Sequence, residues 1–169
     1  VKVHIRVDWS EVGGEKVPVL SYEFPTTEKT SRFSYNIPGG QIVRDAGEGD
    51  RPGLSYIAAY AEGTSHTPAI VTDSKYGFRG ITRNGHAVMQ STLINTATSP
   101  DPYPERGIHN VTLTVGLLPS FPAQAEEEAV KSMHNLTPVS TGSHKGALPA
   151  SGALLGFESA GAVLSAVYV

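Results

Sequence analysis

The first nine residues alternate without a fault: Val1, Val3, Ile5, Val7 and Trp9 are apolar, and Lys2, His4, Arg6 and Asp8 between them are polar or charged. Successive side chains of an extended chain point to opposite faces, so this pattern makes one apolar and one polar face only as a β-strand. A strand of this kind must lay its apolar face on a second layer. The same period returns at Leu20, Tyr22 and Phe24 before Pro25, and at Phe33, Tyr35 and Ile37. It is clearest again over 108–118, where His109, Val111, Leu113, Val115 and Leu117 alternate with Asn110, Thr112 and Thr114. Shorter strand candidates lie at 41–44, 54–60, 68–72, 87–94, 153–157 and 162–169. Gly13 and Gly14 fall between the first two strands and predict a hairpin there.

Only 123–134 reads as helix, being rich in Ala and Glu and free of Gly and Pro; its apolar stripe is thin, which predicts a surface helix or a loop. Residues 140–152, full of Ser, Gly, Lys and Pro, predict a flexible connection. Many short strands with turn residues between them predict an all-β, antiparallel β-sandwich or barrel, one domain over 1–169. Polar strand faces argue against a parallel α/β sheet, whose central strands are apolar on both sides.

A chain of 169 residues can bury a core without staples, and with no cysteine it has no disulfide, thiolate metal site or cysteine nucleophile. A cysteine-free chain favours a reducing compartment, so the cytoplasm is the expected location. The net charge of −3 and the scattered basic residues leave no concentrated positive face, so nucleic acid is not expected as a partner. No apolar run approaches the roughly 18 to 20 residues that span a bilayer, and no membrane is expected either. Both Val1 and Val169 fall inside strand-like runs, which reads as a segment cut from a longer protein.

Local motifs for chemistry are missing. The six histidines, His4, His66, His86, His109, His134 and His144, include no HxH or HExxH spacing, and there is no Gly-rich phosphate loop or G-x-S-x-G elbow. No metal ligand, cofactor or catalytic residue is therefore assigned. Glycoside hydrolysis needs two carboxylates roughly 5 to 10 Å apart. The acidic candidates are Asp45, Glu48, Asp50, Asp73, Asp101, Glu105, Glu126, Glu127 and Glu128, and turn capping or a solvated face explains each more simply. The best binding candidate is the segment 72–80, which gathers Asp73, Lys75, Tyr76 and Arg79 between strands. An aromatic face can stack on the C–H surface of a sugar while the charged groups bond its hydroxyls.

The order of short motifs carries more information than any one of them. The chain reads Val7-Asp8-Trp9, then Tyr35-Asn36-Ile37-Pro38-Gly39-Gly40 with Arg44, then Asp73-Ser74-Lys75-Tyr76-Gly77-Phe78. Pro100-Asp101-Pro102, Gly107 with His109, and Leu118-Pro119 follow. This order resembles the C-terminal β-rich half of the family-38 glycoside hydrolases, the retaining α-mannosidases, over most of the chain. The chain departs from the family's pattern at Leu93-Ile94-Asn95-Thr96-Ala97, where L-L-R-S-P is usual, at Pro119-Ser120 in place of P-H, and at Gly39 after Pro38.

The resemblance implies a supersandwich of the galactose-mutarotase-like kind. It also implies that the zinc ion, the aspartate nucleophile and the acid/base carboxylate belong to a catalytic domain elsewhere in the parent chain. This region would be non-catalytic, packed on that domain, with the loop Asp73 to Arg79 sent toward a cleft that binds mannosides. Two alternatives remain open. One is a stand-alone carbohydrate-binding module with Tyr56, Tyr60 or Tyr76 as platform; the other is a mutarotase-type enzyme pairing His66, His86 or His109 with a glutamate.

Overall fold

The computed structural model describes residues 1–61, 63–99 and 105–134, together with 138–140, 142, 145–147, 149, 151–152 and 156–158. The chain divides into two compact units, Val1–Asn135 and Leu136–Val169. In the second, the described residues form neither helix nor strand, including those within 140–152. The strand expected at 162–169 and most of that at 153–157 lie outside the described residues.

The first unit is an all-β sandwich of two antiparallel sheets. In chain order its strands are β1 (Lys2–Trp9), β2 (Val19–Pro25), β3 (Arg32–Ile37), β4 (Gly40–Asp45), β5 (Arg51–Pro52), β6 (Tyr56–Ala59), β7 (Thr67–Thr72), β8 (Gly77–Arg83), β9 (His86–Asn95) and β10 (Gly107–Leu118). One sheet runs β1-β10-β7-β6-β3-β4 and the other β2-β9-β8-β5. Tight hairpins join consecutive strands where the sequence allows the special backbone they need. Asn84 and Gly85, both at positive φ, connect β8 to β9 with Arg83 opposite His86, the two-residue turn that Asn-Gly favours.

The core fills the space between the sheets. Phe33, Tyr35, Ile57, Ile70, Phe78, Met89, Ile94 and Leu113 are almost wholly buried there, with Val3, Ile5, Val7, Trp9, Leu20, Tyr22 and Phe24 packed against them. Each fully buried large side chain contributes on the order of 1.5–3 kcal/mol of transfer free energy. The alternation at 1–9 thus places Val3, Ile5, Val7 and Trp9 inward, while Val1 at the strand's start stays exposed.

The expected hairpin between the first two strands does not form. β1 pairs with β10 over Lys2↔Thr114 to Trp9↔Gly107, and β2 pairs with β9 in the other sheet. Both strands carry one apolar face, and placing them in opposite sheets lets those faces meet across the core. The connection between them passes β9, where Thr96 donates from its amide and its hydroxyl to the Pro18 carbonyl.

The helix α1 (Ala123–Met133) forms where the sequence reading placed a surface helix. It is no bare surface element: Ala125 and Ala129, one turn apart, are buried on the outer face of the larger sheet against Tyr56, Ala58, Ala69, Val71 and Leu118. Two alanines suffice as an apolar stripe because small side chains let the helix approach the sheet closely. Tyr56, offered above as an exposed platform, is buried there and donates its hydroxyl to Glu126 Oε1 at 3.0 Å.

Candidate functional site

At the end of the sandwich where β7 stops and β8 begins, the surface dips into an open groove of about 300 Å³. Asp50, Arg51 and Pro52 form one wall, Ser74, Lys75, Tyr76 and Gly77 another, and 92–95 with Glu105 the remainder. These segments meet because antiparallel pairing sets the start of β8 beside the end of β9, with Gly77 opposite Thr92. β5 lies on the other flank, with Pro52 opposite Gly77.

The candidate segment 72–80 divides on folding. Only 73–76 is a connection, since β8 begins at Gly77 and Phe78 points into the core. Its four candidate residues part company accordingly. Asp73 closes the end of the β7–β10 ladder: its Oδ2 accepts the Thr112 amide at 3.1 Å and its Oδ1 the Ser74 hydroxyl at 2.8 Å. It lines a separate hollow, not the groove. Arg79 sits on the outer face of the smaller sheet, with its Nε and Nη2 3.1 and 2.9 Å from Asp50 Oδ1.

Lys75 and Tyr76 do line the groove. The turn that presents them is fastened by Thr72, whose hydroxyl donates to the Lys75 carbonyl at 2.6 Å and accepts the Lys75 amide at 3.0 Å. Gly53 donates its amide to the Tyr76 carbonyl at 2.9 Å, so the main chain at Tyr76 is held while its ring stays 70% exposed. The Lys75 ammonium has no partner among the described residues.

Asp50 organises the groove wall. Beyond Arg79 it accepts the Thr92 hydroxyl on Oδ2 at 2.5 Å, so one carboxylate ties the segment before β5 to β8 and β9. Farther along the same outer face Glu23 is matched in the same manner, by Arg83 and by Gln90 Nε2 at 2.7 Å. The Arg83 hydrogen bond, and then that of Gln90, holds the Glu23 carboxyl below its usual range. That face is internally paired, whereas the groove offers Lys75, Asn95 and Glu105 together with an open ring.

Tyr60 is half-buried under the Arg32 guanidinium, 5.2 Å from its ring centre, which leaves Tyr76 as the exposed ring of the three named platforms. The histidine and glutamate pairing does not assemble among the described residues. His66 bonds Ser65 Oγ, His86 the Thr27 carbonyl and His109 the Glu105 carbonyl, on separate elements. No group of three or more metal-ligating side chains gathers among the described residues, and no helix there is long and apolar enough to cross a membrane.

Sequence reasoning did not find the contributions of Arg51, Thr92 and Asn95. No local pattern marks them, since they reach the groove only through pairing between strands far apart in sequence. The fold and the groove define an all-β sandwich with an open polar site at one end. No protein-family model matches the chain, and no curated protein matches it.

Proposed function

We propose that this domain is a non-catalytic β-domain of a retaining α-mannosidase, which presents its groove to a mannoside held by a catalytic domain of the same parent chain. One observation supports the reading above others. Ser74-Lys75-Tyr76-Gly77, from a motif that carries the resemblance, lines one groove together with Leu93-Ile94-Asn95, where the chain departs from the family's pattern, and Glu105. Asn95, which stands where the family usually has Arg, is exposed at its rim. Asn36 of the Tyr35-Asn36-Ile37-Pro38 motif backs it indirectly by holding the 54–56 segment, next to the Gly53 that bonds Tyr76.

The chemistry suits a neutral sugar. The exposed Tyr76 ring offers a face for C–H stacking, and Lys75, Asn95 and Glu105 offer hydroxyl partners of both senses. In this reading the zinc belongs to the parent's catalytic domain, and no step of hydrolysis is assigned to these residues. A rigid sheet fixes the groove, so contacts made here, away from the reacting bond, support substrate geometry.

The test is a titration of the isotope-labelled chain with methyl α-mannoside, alongside an assay for release of nitrophenol from an aryl α-mannoside. Weak binding in the roughly millimolar range, shifts confined to 74–77 and 92–95, and no turnover are expected, since a half-site alone makes few contacts. Turnover that survives repurification, or shifts absent from the groove, overturns the proposal. The exposed Tyr76 also favours a stand-alone carbohydrate-binding module, for which the same titration would give roughly micromolar affinity without any partner domain.

A further inference from the structure

The outer face of β1 carries a row of Lys2, His4 and Arg6, none of which makes an ion pair among the described residues. β1 is an edge strand, and its register sets Lys2 opposite Thr114, His4 opposite Thr112 and Arg6 opposite Asn110. Since Val3, Ile5 and Val7 point into the core, Lys2, His4 and Arg6 share the outer face, roughly 7 Å apart in sequence along it. Ion pairs among the described residues join Arg79 to Asp50, Arg83 to Glu23, and Lys131 to Glu127 and Glu128. None of these involves β1.

Two acids border the row. Asp8 follows Arg6 on the same face without pairing to it, and Asp73 has both oxygens engaged, one by the Thr112 amide and one by Ser74. A hollow of about 260 Å³ beside Asp73 is lined by His4, Ile5, Arg6, Asn110, Val111 and Thr112. Arg6 and Asn110 are exposed, and His4 Nδ1 shares a hydrogen bond of 3.2 Å with Thr112 Oγ1.

We infer that this hollow is an oxyanion site that takes a phosphate- or sulfate-type group between Arg6 and His4, with Asn110 as a further donor. The guanidinium fork matches two oxygens of a tetrahedral anion, and charge-assisted bonds of this kind are roughly twice as strong as neutral ones. The two sources of such a group are a free inorganic anion and an ester on a sugar. The site shares no lining residue with the groove and stands without it.

The test titrates the labelled chain with inorganic phosphate, inorganic sulfate and glucose 6-phosphate at constant ionic strength. Saturable shifts at His4, Arg6, Asn110 and Thr112 are expected. Arg6→Ala should weaken binding about tenfold or more, as loss of a charged hydrogen bond implies, with the unfolding midpoint unchanged. Arg6→Lys should retain part of the affinity. Tighter binding of the hexose phosphate than of phosphate identifies an ester as the ligand, and equal binding a free anion; either supports the site. Sodium chloride reproducing the same shifts, or Arg6→Ala binding like the wild type, would show that the row only guards an exposed strand edge and overturns the inference. Phosphate binding here with no mannoside response in the groove leaves this site standing and removes the groove reading.

Discussion

Asn36 and Ser55 are both buried and bonded to each other, with the Asn36 Nδ2 donating to Ser55 Oγ at 2.7 Å. The other end of the same amide, Oδ1, accepts the backbone amides of Leu54, Ser55 and Tyr56 at 3.2, 2.7 and 2.9 Å. The Leu54 amide also reaches the Asn36 main-chain carbonyl at 2.9 Å, whereas the buried Ser55 and Tyr56 amides at the entry to β6 rest on this one side chain. Asn36→Ala strands them, and leaving buried donors unpaired costs about 3 kcal/mol in total. Asn36→Asp keeps the acceptor and lets Ser55 donate instead, so it should lose much less. Denaturant unfolding of both variants decides the matter; equal losses would mean that volume, not hydrogen bonding, sets the requirement.

Gly80 lies under the Phe33 ring. A Cβ placed there would sit 2.3 Å from Phe33 Cγ and 2.4 Å from Cδ2, and that ring is fully buried. Gly80→Ala should therefore destabilise by roughly 2 kcal/mol or more through overpacking, although alanine in a strand ordinarily gains over glycine. Unchanged or raised stability would show that the two sheets separate easily.

Burial, and then the nearby Glu126, raises the Tyr56 hydroxyl above the ordinary phenol value of 10, and burial raises Tyr35 in the same direction. A raised folded-state value means that the stabilisation is fully present below pH 10 and is lost as pH climbs past it, because the unfolded chain releases those protons first. Stability should fall above this point by about 1.4 kcal/mol per pH unit for each such group. Tyr56→Phe should remove one share of that alkaline slope and cost about 1 kcal/mol at neutral pH through the lost bond to Glu126. Unfolding curves at neutral and alkaline pH for both proteins provide the check.

Tyr76 is the contrasting case. Its ring makes no core contact, so Tyr76→Ala should leave the unfolding free energy within about 0.5 kcal/mol of the wild type. The same variant should abolish the mannoside response of the groove. Retained binding would move the sugar contact away from the ring.

Asp50 ties the segment before β5 to β8 and β9, yet it is about one-third exposed and water screens its pairing with Arg79. Asp50→Ala should cost about 1 kcal/mol or less in stability while loosening β5 from β8, seen as faster amide exchange at Phe78 and in the residues flanking it. Exchange unchanged there would mean that the backbone ladder alone holds the groove wall.

The two-residue periods at 1–9, 20–24, 33–37 and 108–118 determined the all-β class and most of the inward side chains, because alternation is a property of each strand by itself; Val1 and Leu117, on the same apolar faces, are exposed at the strand ends. What no strand could state was its neighbour. Val1 to Trp9 and Leu20 to Phe24 are equally compatible with a hairpin and with opposite sheets, and only burying both apolar faces at once selected the second. Ala125 and Ala129 looked too thin a stripe until Tyr56 and Val71 supplied the surface they cover. The groove shows the same division. Lys75 and Tyr76 were legible as a charged, aromatic stretch between strands, whereas Arg51, Thr92 and Asn95 acquire meaning only through cross-strand register, which depends on contacts between residues tens of positions apart. Local chemistry was written in the sequence, and the meeting of its parts was decided by how the two sheets close on one core.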